Sequence, residues 1–439
     1  MRQVEILRAR REIVNQARSV TYMSFSDIIT SVRQRIPDRA KRAELTLRRL
    51  RPAMQRARGN VFPRIPQSLH HLGLILEDPS WFSLSETLDG EDNIWLGSAW
   101  GSDGSCSNVF VSSRCLQILR LADILFADGT FYITPSINGC YQVFTIVAVH
   151  THTFGLLWYK NVPCKPCKWQ GSLGSSILEI HLVIPLVWVL MERKSEAAYV
   201  AVLNLLRAHL IEWRFRLVIS DFEDAIMNAF RAVFGVEVQG CFFHAAHAMA
   251  HHAKVNLGVV TLTQQPEILN IVRLCCALPL LPQQLIQRGL IVIGFLAMNL
   301  GNEAYTTVRP HLHYIQQDWL NHPNRGRSLS VCGSIHRTNN ASESNNRRMK
   351  RRIGTHHPNI FSFIRHLASF EDATIDDMWS ISSGAIPTRH RAGSSIRNDH
   401  FIATITRQLL AGQLNDDRIL SFLIRAVSST DGIVTDSIF

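Results

Sequence analysis

At 439 residues the chain is longer than one typical domain and long enough to bury a sizeable core. Its 46 Lys and Arg against 35 Asp and Glu leave a net charge of +11, which makes a polyanionic partner plausible and says nothing about fold. No apolar run reaches the length of a membrane span, the opening MRQVEILRARRE has no h-region of a secretory signal, and nine cysteines lie scattered without a disulfide framework; these exclude a membrane partner and favour a reducing, intracellular and nuclear setting.

In chain order, residues 1–60 read as a basic helical arm, with RAKRAELTLRRLRPAMQRARG ending at a Gly stop; a solvated arm and a DNA-contacting one both fit. Residues 61–118 are rich in Pro, Gly, Ser and Asp and read as a small mixed α/β region of short strands and turns. ADILFADGTF then predicts an apolar strand ending in an acid and a Gly turn, followed by strands in YQVFTIVAVH and LVIPLVWVLM. SEAAYVAVLNLLRAHLIEW has a Ser N-cap and helical spacing, FRLVISD is a short buried strand, DAIMNAFRAVFG is a second helix stopping at Gly235, and VEVQGCFF is a last strand. Three strands followed by alternating helix and strand predict a mixed α/β sheet with helices against its faces.

The acids can then be placed. Asp128 and Asp221 end two of these strands, so if the strands are neighbours both carboxylates project from one end of the sheet. Glu343 lies just inside a helix expected to start near Asn339 or Asn340, with Asn346, Arg347 and Lys350 on its face. Converging carboxylates repel unless a divalent cation sits among them, and hard oxygen ligands suit Mg²⁺ or Mn²⁺. Two such ions about 3.5–4 Å apart would serve an in-line phosphoryl displacement. Singly, an Asp at a strand end also reads as a turn former or cap, and Glu223 and Asp224 read as complements to a helix dipole.

The blocks ADGTFYITP, YQVFTI, IPLVWVLMERKSEAAYVAVL, VISDFEDAIMNAFRAVF, VQGCFFHAAHAM and RTNNASESNNRRMKRRIGTHHPNIFSFIRHL together resemble the Mutator-like element (MULE) transposases, DDE enzymes with a ribonuclease-H-like core. The resemblance implies an RNase-H-like transposase domain over 119–380 with a helical insertion over 245–330, and residues 381–439 after it are read as a C-terminal helical tail. It implies Asp128, Asp221 and Glu343 as the catalytic, metal-holding DDE triad. With it goes DNA (transposon ends and target) as partner; the basic residues around Glu343 read as phosphate contacts, giving Arg337, Arg347, Arg348, Lys350, Arg351 and Arg352 as DNA-binding, and the sequence leaves open whether the chain works as a homo-oligomer.

Three features stand apart from that reading. Cys241 and His244 form a CxxH which the family shares; a structural pair, or a buried strand-end Cys with a helix-capping His, both fit, and zinc is not expected because a second Cys pair is absent. Residues 156–181 are an atypical insertion between two strands, carrying Cys164 and Cys167, and are expected outside the sheet. No Cys/His ligand set precedes residue 106 to form the N-terminal zinc finger common in such relatives. The alternative function is a transposase-derived DNA-binding protein without catalytic activity, and a nuclease on RNA–DNA hybrids would share the fold but not the HRTNNASES block.

Overall fold

The computed structural model describes residues 2–19, 23–59, 62–154, 178–383 and 393–438. Seven strands form one mixed sheet: β1 (Trp95–Trp100), β2 (Cys106–Phe110), β3 (Ile124–Thr130), β4 (Gln142–Phe154), β5 (Leu178–Met191), β6 (Leu217–Ser220) and β7 (Glu237–Gly240). Their spatial order is β1-β2-β5-β4-β3-β6-β7. Neighbours from β1 to β3 pair antiparallel, whereas β6 runs parallel to β3 and β7 parallel to β6. A parallel pair cannot be closed by a tight turn, and here each crossover contains a helix: Glu196–His209 before β6 and Asp224–Phe234 before β7. Ser195 caps the first, its side chain accepting from Ala198 N, and Gly235 ends the second at φ +65°, a left-handed conformation that costs glycine nothing.

Alternation along the strands sorts the core into two layers. Leu125 and Ala127 of β3 face one side, packing with Tyr199, Leu203, Phe230 and Phe234 of the crossover helices. Phe126 faces the other, with Val147, Ile219 and Ala341. Further along that second face, Trp188 and Leu190 of β5 pack with Met349, Phe363 and Leu367 from the helices Asn340–Ile353 and Ile360–Ser382. The sheet is thus covered by helices on both sides.

Four expected boundaries change. The basic segment 1–60 is not an arm: helices Arg2–Ser19, Phe25–Gln34, Arg39–Glu44 and Leu47–Gly59 close over a core of their own, with Ile13, Ile28, Leu45 and Met54 buried. The region 61–118 is not a separate unit, because it supplies β1 and β2 to the same sheet as β3 to β7. β5 begins at Leu178 and pairs with β4 from Phe154 inward, so the last four residues of the expected 156–181 insertion belong to the sheet. The rest of it, with Cys164 and Cys167, lies outside the described residues. Finally, 381–439 is not a tail: Ile405, Leu409, Leu423, Val434 and Ile438 bury themselves in the same core as the 245–330 helices. Each difference has one cause. Where a segment's apolar stripe is to be buried depends on a partner far away in the chain, and local periodicity does not name that partner.

Candidate active site

Asp128 and Asp221 are brought together by strand register. Ala127 of β3 pairs with Ser220 of β6, and Ser220 pairs with Gly240 of β7, so Asp128, Asp221 and Cys241 are the next residues along three adjacent parallel strands. Such strands stand about 4.8 Å apart. The two-residue alternation puts Asp128 on the side of Phe126 and Asp221 on the side of Ile219, and both of those side chains pack beneath Ala341.

Ala341 is the second residue of the helix Asn340–Ile353, which buries Ser342, Asn345, Met349 and Ile353. These recur at helical spacing on one face and fix the rotation of the helix. Glu343, in the first turn, and Asn346 then lie over the strand ends. Asn346 Nδ2 donates to Asp128 Oδ2 at 2.7 Å, and Asn339 Nδ2, at the helix N-cap, donates to Asp221 Oδ1 at 3.2 Å. Arg347 Nη1 stands 3.6 Å from Glu343 Oε2, one turn on.

The electrostatics follow from crowding. Burial pushes the Asp128 carboxyl up to about 7, and the Asp221 and Glu343 charges push the same way. The backbone N–H of Gly129 and the nearby His244 oppose the rise. His244 lies one turn into the helix Phe242–Leu257, its Nδ1 2.9 Å from Asp221 Oδ1. The two atoms are close, yet the ring N–H does not point along the line between them, so the contact is an ion pair with poor hydrogen-bond alignment. That contact, then a hydrogen bond with Cys241, holds the imidazolium up to about 10. Cys241 is buried and its Sγ accepts from Asn339 N at 3.2 Å. His244 therefore does not cap its helix, and His247 and His252 turn elsewhere, to Ser437 and to His311.

The expected DNA-contacting cations divide. Arg347, Lys350, Arg351 and Arg352 are exposed on the helix Asn340–Ile353. Lys350 Nζ sits 3.7 Å above the Tyr132 ring, while Arg348 and Arg352 lie over Phe370. Arg337 is a correction: its guanidinium is largely buried and ion-paired with Asp399 of the helix Gly393–Leu410, so it ties the C-terminal helices to the site and is not a surface cation. Glu223 differs too. It is the N-cap residue of its helix without a capping hydrogen bond, and instead pairs with Lys194 Nζ at 2.6 Å and accepts from Tyr199 Oη at 2.9 Å, which itself accepts from Gln142 Nε2.

Sequence reasoning put Asn346 on the face of Glu343 without a role and gave Asn339 only the helix start. The doubled Asn pairs at each end of NNASESNN were the available signal, because amides placed two turns apart on one face can each donate to one carboxylate. One glycine also matters. A Cβ on Gly240 would stand 2.1 Å from Phe222 Cζ, and that ring lies edge-on to Trp319. Gly240→Ala should displace Phe222, next to Asp221, and cost about 1–3 kcal/mol by overpacking. Urea unfolding of the variant beside the parent measures it.

Carboxylates brought together suit a hard divalent cation chemically, and Asp221 and Glu343 both lie near enough to Asp128 to act on it through their charge. Without such a cation, burial and the charges of Asp221 and Glu343 all favour a proton on Asp128. The Oδ1 atoms of Asn339 and Asn346 are buried without protein partners, as expected of amides turned to present N–H to the carboxylates. No helix among the described residues is long and apolar enough to cross a membrane. No protein-family model matches the chain, and no curated protein matches it in sequence.

Proposed function

We propose that this chain is a DNA transposase of the Mutator-like kind, with a ribonuclease-H-like core, cleaving and transferring DNA strands through Asp128, Asp221 and Glu343. One observation carries the reading: Asp221, just past the end of the adjacent parallel strand, and Glu343, from a helix far along the chain, both act on one buried carboxyl, Asp128. The order β5-β4-β3-β6-β7, antiparallel up to β3 and parallel beyond it, supports the ribonuclease-H-like part. On this reading the triad would hold Mg²⁺ or Mn²⁺, which supplies activation of a water or 3′-hydroxyl and charge for the leaving oxygen. Asn346 and Asn339 fix the rotamers of the two aspartates by donating to one oxygen of each. His244 places a positive charge beside Asp221.

Arg347, Lys350 and Arg351 are exposed along the same helix and would meet DNA phosphates, with the partner DNA lying beside the carboxylates. Phosphate contacts carry affinity without sequence information. Arg347→Ala with Lys350→Ala should weaken binding to all sequences alike and flatten the dependence of log K on log salt by about two units. A salt-titrated gel shift reads it.

The test of function is Mg²⁺-dependent nicking of a supercoiled plasmid bearing the gene's own flanks, with binding measured in parallel. Nicking that requires the divalent cation supports the proposal. Binding without any nicking gives way to the non-catalytic DNA-binding protein. A nuclear location and a homo-oligomeric working form belong to the same proposal.

A further inference from the structure

The CxxH pair does not stand alone. Asp221, Cys241 and His244 each offer one ligand atom, and these atoms all lie within 4.8 Å of one another. The register explains the convergence: Asp221 and Cys241 are the residues after Ser220 and Gly240, which pair in adjacent parallel strands, and His244 is three residues on, at the first turn of the helix that Cys241 caps. Cys and His spacing alone disfavours zinc; the fold adds a carboxylate to the pair. We infer that Asp221, Cys241 and His244 form a binding site for a thiophilic divalent cation of the zinc type, distinct in ligand chemistry from the carboxylate triad and sharing Asp221 with it.

The donor set favours this class of ion. A thiolate, an imidazole nitrogen and a carboxylate oxygen are the three ligand types zinc accepts, with the fourth position left to water. Tetrahedral bonds of about 2.0–2.3 Å place ligand atoms roughly 3.5 Å apart, so modest side-chain rotation closes the set. Cys241 is buried, and its sulfur already accepts a backbone N–H from Asn339, a contact that stabilises a thiolate once formed. His244 Nδ1 is a buried ring nitrogen 2.9 Å from a carboxylate oxygen without an aligned hydrogen bond, a gap that either a proton or a cation bridges. Binding displaces that proton and the thiol proton, and the ion takes their place between the three ligands. Because Asp221 belongs to both sets, this ion and the cation of the triad compete for one ligand. This last consequence rests on the proposed function; the site itself does not.

The experiment uses Co²⁺ as the spectroscopic probe, added to the full chain carrying Cys164→Ser and Cys167→Ser so that the other CxxC cannot contribute. One equivalent of Co²⁺ should produce a sulfur-to-cobalt charge-transfer band in the near ultraviolet, displaced by Zn²⁺. Cys241→Ser in that background should abolish the band, and His244→Ala and Asp221→Asn should each weaken Co²⁺ binding at least about tenfold. Circular dichroism of each variant checks folding, and His244→Ala, at a half-exposed position, gives a second variant if Cys241→Ser does not fold. No band in the background protein, or a band that survives Cys241→Ser, overturns the site. The readout is independent of nicking: a chain that binds Co²⁺ here but never cleaves DNA retains the site and loses the proposed function, and the reverse outcome does the opposite.

Discussion

Glu343→Gln should lower Mg²⁺-dependent strand nicking by roughly 10²–10⁴-fold while leaving DNA affinity equal to the parent's or tighter. The substitution keeps the size of the side chain and one acceptor oxygen, so the helix Asn340–Ile353 retains its seating on Met349 and Ile353. What goes is one negative charge. Glu343 stands 3.6 Å from Arg347 and, through its charge, acts on Asp128. Removing it frees Arg347 for a phosphate and lessens the repulsion of a polyanion, and both changes favour DNA. It also takes away one of the three anionic ligands that the proposed chemistry depends on. Opposite movements of cleavage and binding in one variant are what a purely structural role for Glu343 would not produce. If Glu343→Gln nicks as fast as the parent, Glu343 is not part of the cleavage site.

How much of this was legible in the sequence depends on the range of the interactions involved. The strands β3 to β7 and their crossover helices announced themselves through local patterns: apolar runs, the Ser195 cap, the Gly235 stop. Asp221 could be set at a strand end for the same reason, whereas Asp128 lies inside β3, which runs on to Thr130; their adjacency followed once β3 and β6 paired. Partnerships across the chain were not legible. Arg337 sits in a run of basic residues and looks like a surface cation, but Asp399, 62 residues away, claims it. Asp221 and His244 look like members of separate motifs until the pairing of Ser220 with Gly240 makes them neighbours. The C-terminal helices show amphipathic spacing, which says that a face will be buried and leaves open against what. Leu423 and Val434 find the helical insertion because the fold brings it there.

In the metal-free protein, stability should fall as pH rises from about 4 to about 7, and Asp128→Asn should remove most of that fall. Asp128 carries a folded-state value of about 7 against an ordinary 3.8, first because it is buried and then because Asp221 and Glu343 face it. The folded state therefore holds this proton more tightly than the unfolded chain does. Between the two values folding takes up a proton, so the Asp128 contribution declines with rising pH and levels off once pH exceeds the folded value, while His244, held up to about 10, loses its own contribution above its ordinary 6.5. The rise from 3.8 to about 7 sets a ceiling of about 4 kcal/mol on the loss, most of it incurred before pH 7. Below about pH 4 both states are protonated and the group contributes nothing. A divalent cation held by the triad replaces the proton, so Mg²⁺ should stabilise the parent at pH 8, by about 2.7 kcal/mol at a hundredfold excess over its dissociation constant. It should do much less for Asp128→Asn, which lacks the charge. Urea unfolding of both proteins at pH 5 and pH 8, with chelator and with Mg²⁺, gives four comparisons per protein. If Asp128→Asn matches the parent in chelator at pH 8, the carboxylates are not crowded as the geometry requires. If Mg²⁺ stabilises both proteins equally, the ion is bound elsewhere, and the case for a metal-dependent phosphoryl transfer at these three residues falls with it.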